Sequence, residues 1–437
     1  MPNDVMHPLR YPNYRIFLIS RFCAVLGQSG MMIILGWQAY NLARLEMGTR
    51  AAAAQLGLIG LAQFLPLFFL TPVSGWVADR FDRRTTSCVS LVMQIICAAI
   101  LCYATYHGSV SLPLIFAIAG LLGVARCFNG PALSAIAPNL IPRAVLPRAV
   151  AFSSMAWQTG IIVGPAVGGY AYAVEPWGAY AVSVALFCVS LAGIFSLKDV
   201  PQAPADRNRH PLRQMVDGLT YVRSNRLVLA SITLDLFAVL LGGATALLPI
   251  FARDIYHVDS TGLGQLAAAP GVGAMLTAFW FSIRPIRTNV GNKMLGAVIV
   301  FGLTTIVLGL TAFIPHGLAM PVALLALVTL GVSDMISVFV RQSLIQLHTP
   351  DAMRGRVGSV SQLTISASNE LGEAESGFAA ALIGPVAAVI AGGAGAIIIT
   401  LLWAKIFPEL GLARSFDPPD MDDATREDSK PQQEARA

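Results

Sequence analysis

Charge is what this sequence has least of. Asp, Glu, Lys and Arg make up 12% of its 437 residues against 55% hydrophobic ones, whereas a soluble domain carries about 25% charged residues. That shortage excludes an ordinary globular enzyme. The formal net charge of +5 does not point to nucleic acid, because the basic residues lie in short segments between apolar runs rather than in one patch. The six cysteines, Cys23, Cys88, Cys97, Cys102, Cys127 and Cys188, sit inside apolar runs with neither CxxC nor Cys/His spacing, which argues against disulfides and metal. HExxH, GxSxG and P-loop spacings are missing, so neither an enzyme nor a cofactor is expected. No polar segment has the apolar pattern of the folded soluble domain that a membrane sensor needs. Nor is a cleavable signal expected, since the first apolar stretch, residues 16–40, is too long for one and carries Arg21.

What is there in abundance is hydrophobic length. A helix needs about 20 mostly apolar residues to cross a hydrocarbon core of roughly 30 Å. Apolar runs bounded by charge, Pro and Gly place spans near Val25, Phe64, Gln94, Ala119, Ile162 and Phe187, then near Leu240, Gly273, Ile306, Thr329, Ser366 and Gly395. The division is a six-span half over residues 1–197, a polar linker with room for a short amphipathic helix over 198–226, a second half over 227–407, and a tail over 408–437 expected to be disordered. With the N-terminus inside, 23 of the 29 Lys and Arg residues fall on the cytoplasmic side; only Arg44, Arg50 and Arg253 fall outside. The expected protein is therefore an all-α membrane protein, multi-pass in a bacterial inner membrane, with both termini cytoplasmic. It is expected to work in the bilayer as a monomer.

The halves are related. A shift of 208 residues lays Ile141-Pro142-Arg143-Ala144 on Thr349-Pro350-Asp351-Ala352, and Gly164 and Gly169 on Gly372 and Gly377. It also lays Arg126 on Asp334. Internal repeats of this kind place a substrate site at the repeat interface near the midplane.

Two segments carry mechanism. After the second span the chain reads Gly75-Trp76-Val77-Ala78-Asp79-Arg80-Phe81-Asp82-Arg83-Arg84. Gly75 lets a neighbouring helix approach, and Asp79 can accept hydrogen bonds from a helix N-terminus and from arginines, which together make a charge latch. Span five reads Gly160-Ile161-Ile162-Val163-Gly164-Pro165-Ala166-Val167-Gly168-Gly169, with glycines four apart on one face and a proline that bends the helix. The first segment resembles the signature between spans two and three of the major facilitator superfamily, and the second resembles the antiporter motif of its exporters. The resemblance covers residues 11–407. It implies the major facilitator fold, twelve transmembrane helices in two pseudo-symmetric six-helix bundles, with Gly75, Asp79, Arg80, Arg83 and Arg84 as a cytoplasmic gate. The counterpart loop Arg284-Pro285-Ile286-Arg287-Thr288 keeps charge but lacks the Gly and Asp, so the latch is one-sided. Arg10-Tyr11-Pro12-Asn13-Tyr14-Arg15, Leu248-Pro249-Ile250-Phe251-Ala252-Arg253-Asp254 and Pro350-Asp351-Ala352-Met353-Arg354-Gly355-Arg356-Val357 are similar to the siderophore and macrolide exporter branch. Where that likeness leads one to look for an acid in span one, this chain has Gln28-Ser29.

An ionisable side chain at a span centre costs about 2.5–3.5 kcal/mol on insertion scales and persists mainly at a cavity or a partner. Asp235, Asp334, Glu370 and Glu373 are the candidates for carrying a coupling proton. Glu370 and Glu373 share a helix face, where two like charges cannot both ionise cheaply. The alternative is a fixed ion pair, such as Glu373 or Asp334 with Arg126 across the halves. Arg126 is the candidate anion-binding group, while Arg21 and Arg341 are expected to snorkel to the cytoplasmic interface. Gln28, Trp37, Gln38, Asn129, Trp157, Gln158 and Asn369 are candidates to line a cavity for an amphipathic small molecule. Together these features lead to a proton-driven exporter of a siderophore, drug or lipophilic metabolite; a metabolite importer or lysolipid flippase of the same fold is the alternative.

Overall fold

The computed structural model describes residues 7–142, 145–197, 211–284 and 286–416. In lipid every backbone polar group must be satisfied within the chain, and here that requirement is met by long helices. The first bundle contains α1 (Pro12–Glu46), α2 (Thr49–Arg80), α3 (Arg83–Tyr106), α4 (Leu112–Ile136), α5 (Leu146–Val174) and α6 (Gly178–Ser196). After α7 (Pro211–Ser224), the second contains α8 (Arg226–Leu241), α9 (Ser260–Ile283), α10 (Val290–Leu310), α11 (His316–Leu347), α12 (Asp351–Ile383) and α13 (Pro385–Ile406). Among the described residues, eleven segments are long and apolar enough to cross a membrane. The remaining crossing, α12, has 33 residues, about 50 Å at 1.5 Å each. It is the helix that carries Glu370, Glu373 and Glu375.

Local chemistry sets the boundaries. Asp82 starts α3 by accepting hydrogen bonds from Thr85 N at 3.1 Å and Thr85 Oγ1 at 2.8 Å. Asn225 starts α8 by accepting from Val228 N at 3.1 Å, and Asp259 starts α9 by accepting from Thr261 N at 3.0 Å. The seventh crossing is discontinuous. It breaks at Gly242 and Gly243, then runs through short 3-10, α and π turns to Ile255.

The repeat read from the sequence is a repeat of packing. Gly164 of α5 lies against α1, where an added Cβ would come within 2.6 Å of Ser29 Cβ and 3.1 Å of Gly30 N. Its counterpart Gly372 of α12 meets α8, 2.9 Å from Val239 O. Gly169 of α5 packs on Gly264 of α9 across the bundles, and its counterpart Gly377 of α12 packs on Gly57 of α2. Thus α5 and α12 each use one glycine to join their own bundle and another, on a different face, to meet the other bundle.

The linker does contain the expected amphipathic helix. α7 docks on the second bundle through Asp217 to Arg356 at 3.2 Å and a hydrogen bond from Tyr221 to His348 O at 2.7 Å. The tail differs from expectation over residues 408–416. Pro408–Leu412 form a short helix with Leu410 fully buried, and Asn289 N and Gly291 N donate to Arg414 O and Ala413 O. Leu410 sits beside the close-packed Gly291, Ala413 and Phe416 pack on the same cluster, and Glu409 pairs with Arg226 at 2.7 Å, which together hold this segment. The rest of the expected disordered tail lies outside the described residues.

Candidate functional site

The two bundles meet along two seams, α2 with α12 and α5 with α9. Both seams are tight toward the face where α1 ends and α2 begins, here the far face. A Cβ on Gly57 would sit 2.9 Å from Ala374 O, and one on Gly264 would sit 2.7 Å from Pro165 O. Toward the opposite face, which carries the start of α1 and the end of α13, a Cβ on Gly75, Gly355 or Gly358 would meet nothing within 4 Å among the described residues. Trp157 of α5 and Phe279 and Trp280 of α9 are exposed there. The bundles are closed at the far face and part toward the terminal face.

A polar lock closes the far face. Asp254, at the end of the broken seventh crossing, accepts through Oδ2 from Tyr40 Oη at 2.6 Å, Arg44 Nε at 3.2 Å and Thr49 Oγ1 at 3.4 Å. Arg253 reaches back to Asn41 O at 3.3 Å. All these contacts join the first bundle to the second. The lock was not anticipated from the sequence, where Arg44 and Arg253 stood as exceptions to the charge rule and Arg253-Asp254 only as part of a segment of family resemblance. The signal available was an Arg-Asp pair at the head of a span boundary.

Below the lock the α2/α12 seam becomes charged. Gly123 of α4 presses on Gln63 of α2, and Gly60 of α2 lies against Glu373 Cβ, so α2 is held closely on both sides. That packing brings Arg126 of α4 to Glu370 of α12: Arg126 Nη1 lies 2.8 Å from Glu370 Oε1 and 3.1 Å from Gln63 Oε1. Glu370 is buried, Arg126 is partly exposed, and Glu370 Oε2 has no hydrogen-bond partner among the described residues. Two carboxylates one turn apart therefore share one guanidinium, which leaves one negative charge over. The cross-bundle pair expected for Arg126 exists, but with Glu370 in place of Glu373 or Asp334. Gln63 was not anticipated.

A second charged group lies inside the second bundle. Asp235 of α8 is paired with Arg341 of α11, and both are buried. Arg341 therefore does not snorkel; it is only 2% exposed, because a buried carboxylate holds it inward. Asp334 lies in the cleft beside Asp235. Arg21 is half-buried in α1, and Glu375 is exposed.

The remaining candidates divide. Gln38 donates to Thr105 Oγ1 at 3.0 Å and accepts from Tyr180 Oη at 2.6 Å, tying α1 to α3 and α6. Asn129 accepts from Ser87 at 2.8 Å, joining α4 to α3. Trp37 is buried, Gln28 and Gln158 are half-buried, and Trp157 and Asn369 are exposed. Of the residues expected to form the gate, Gly75 has open space around it among the described residues, and Arg84 bonds Phe195 O with its guanidinium 5.2 Å from that ring's centroid. Arg80 is exposed and Arg83 half-buried, while the Asp79 side chain lies outside what is described. Gly160, Gly164 and Gly168 all face α1, whereas Pro165 and Gly169 face α9.

Two repeated six-helix bundles around a charged seam define the class: a polytopic membrane transporter, in which no catalytic constellation was expected. The chain belongs to the Major Facilitator Superfamily, whose family model matches residues 17–373. Its relatives include the enterobactin exporter EntS of Citrobacter koseri, 26% identical over 92% of this chain and 93% of that protein. EntS of Escherichia coli O127:H6 is 26% identical over 93% of this chain and 95% of that protein. Among solved structures, a D-xylose-proton symporter superposes with a TM-score of 0.73 at 13% identity, covering 92% of this chain and 99% of that one. The nucleoside transporter NupG (D323A mutant) superposes with a TM-score of 0.71 at 12% identity, covering 90% and 100%. These structures share the fold. The protein is a multi-pass membrane transporter and not an enzyme.

Proposed function

We propose that this transporter is a proton-coupled exporter of an amphipathic small molecule, with siderophores the first class to test given the enterobactin exporters it resembles. The observation that carries the proposal is the cross-bundle pair of Arg126 with Glu370 at 2.8 Å, one helical turn from Glu373. Its charge balance leaves one carboxylate for a proton to neutralise, on the seam that must part if access alternates. The excess of basic residues supports a cytoplasmic terminal face, and in that orientation the bundles part inward and the Asp254 lock closes the outer face. Antiport follows if substrate is admitted when that spare charge is unprotonated and released when a proton takes its place.

The test is transport by the full chain in proteoliposomes with an imposed pH gradient, offering a catecholate siderophore and a panel of lipophilic probes. Substrate should move opposite to protons. Glu370→Gln and Glu373→Gln should lose gradient-driven movement while keeping downhill exchange. Movement only in the direction of protons would remove the export reading. Unchanged pH dependence and proton stoichiometry in both variants would remove these residues as carriers.

A further inference from the structure

We propose that the second bundle contains a separate binding site for a monovalent metal cation of sodium size, in the cleft between α8, α10 and α11. Four oxygen-bearing side chains line this cleft: Asp235 from α8, and Ser333, Asp334 and Ser337 from α11. Val298 and Phe301 of α10 supply apolar wall.

Three observations point to a ligand. First, the charges do not balance locally. Arg341 is committed to Asp235, and Asp334 has no ion pair of its own among the described residues, so the cleft holds one negative charge in excess. Second, Ser337 Oγ and Arg341 Nε are buried without a hydrogen-bond partner among the described residues. Ser337 is 4% exposed and lines the cleft itself. Buried polar atoms are nearly always satisfied, and an orphan calls for a water or an ion. Third, Ser333 Oγ donates its proton to Thr329 O at 2.9 Å, which leaves its lone pairs free to accept. Residues 333, 334, 337 and 341 recur at helical spacing, so hydroxyls, carboxylate and guanidinium fall on one stripe of α11.

The donor set selects the ion. A proton needs a single carboxylate and gives the serines no task. A hard divalent cation needs a fuller oxygen cage and more negative charge than one uncompensated carboxylate provides. A singly charged hard cation, bound by carboxylate and hydroxyl oxygens, neutralises the excess charge and uses both serines. The site lies within one bundle, away from the Arg126–Glu370 seam, and does not depend on proton coupling there.

The experiment is thermal unfolding of the purified full chain in NaCl, KCl or choline chloride at fixed pH and ionic strength, together with equilibrium binding of radioactive sodium. Sodium should raise the midpoint saturably above the other two salts, since a ligand that binds only the folded state stabilises it by mass action. Asp334→Asn and the milder Ser337→Ala should each weaken sodium binding about tenfold or more, while Glu375→Gln, outside the cleft, should leave it unchanged. Equal midpoints in the three salts with no retained sodium overturn the proposal. So does sodium binding that survives both cleft variants, or a midpoint in this cleft's variants that responds to pH alone. Failure here leaves the pH-gradient experiment untouched, and failure of that experiment leaves this one standing.

Discussion

Replacing Gly57 by alanine should tilt the protein toward a state open at the far face, and the size of the tilt follows from what the new methyl would meet. Its Cβ would lie 2.9 Å from Ala374 O and 3.2 Å from both Gly377 Cα and Phe378 N. All three are backbone atoms of α12, so no rotamer change relieves the contact. Overpacking of this kind costs about 1–3 kcal/mol. Alanine's higher helix propensity, worth about 0.8–1.0 kcal/mol over glycine, acts in both states and cancels from the equilibrium between them. The penalty applies only where the seam is closed, and therefore shifts the population by about 5–150-fold. Gly75→Ala is the counter-experiment. Nothing lies within 4 Å of its Cβ in this state, so its penalty falls on the state in which the terminal face closes, and it should shift the population the other way. Spin-label distances read both faces: Leu45 with Phe313 across the far face, and Val150 with Ile283 across the terminal face, all four exposed. Gly57→Ala should lengthen the first distance and shorten the second. An unchanged far-face distribution in a folded variant, or the same direction of shift from both substitutions, would refute the reasoning.

Arg126→Ala should cost about 3–5 kcal/mol in unfolding of the purified protein, because it strands a buried Glu370, whereas Arg126→Met with Glu370→Met should be near neutral; equal losses in the two would contradict the pairing. Asp254→Asn weakens the charged acceptor shared by Tyr40, Arg44 and Thr49. Since that lock is partly exposed, a shift of about 1 kcal/mol toward far-face opening is expected, read by the Leu45 and Phe313 labels. Asp82, between two spans, gives a pH prediction. Burial pushes its carboxyl up, but hydrogen bonds from Thr85 and Arg84 outweigh this and hold it below its ordinary 3.8. A depressed folded value contributes stability that is present above the ordinary value and is lost as pH falls through the folded one. Asp82→Asn keeps a competent helix cap and should remove this acid-limb loss below about pH 4, an effect of about 1 kcal/mol or less. An unchanged acid limb in thermal unfolding would contradict it.

Much of the architecture was legible because lipid leaves the chain few options. The apolar runs, the basic loops and the glycine pairs at a spacing of 208 each reflect a constraint local to one helix. Partnership between helices was less legible. That Arg126 sits opposite α12 could be anticipated, but choosing Glu370 over Glu373 requires the relative depth of two helices, and a single turn separates the choices. Arg341 looked like an interfacial arginine because it lies six residues from the end of α11; only the register of α8 against α11 shows Asp235 holding it inside. Gln38 and Asn129 looked like cavity residues for a related reason. Sequence shows that they are polar, and only the packing of α3 shows which way their hydrogen bonds run.

The helix least like a membrane span explains why the two halves are unequal. α12 tolerates Glu370 and Glu373 because that face packs on protein: α2 lies against Gly377 and Glu373, α8 against Gly372, and α13 follows it in contact. Its repeat partner α5 keeps the corresponding glycines, Gly164 and Gly169, but has Ile162 and Pro165 where α12 has Glu370 and Glu373. The close approaches that let the bundles meet are therefore symmetric, while the charges at the meeting point are not. Motion and chemistry should then be separable. Under the proton coupling proposed above, substitution at the seam glycines should move the population without changing how many protons accompany a substrate, and substitution at the α12 acids should change the proton count while the bundles still exchange. A protein in which Gly57→Ala altered stoichiometry as well as state would show that the acids and the seam form one device, with the symmetry of the fold playing no part in coupling.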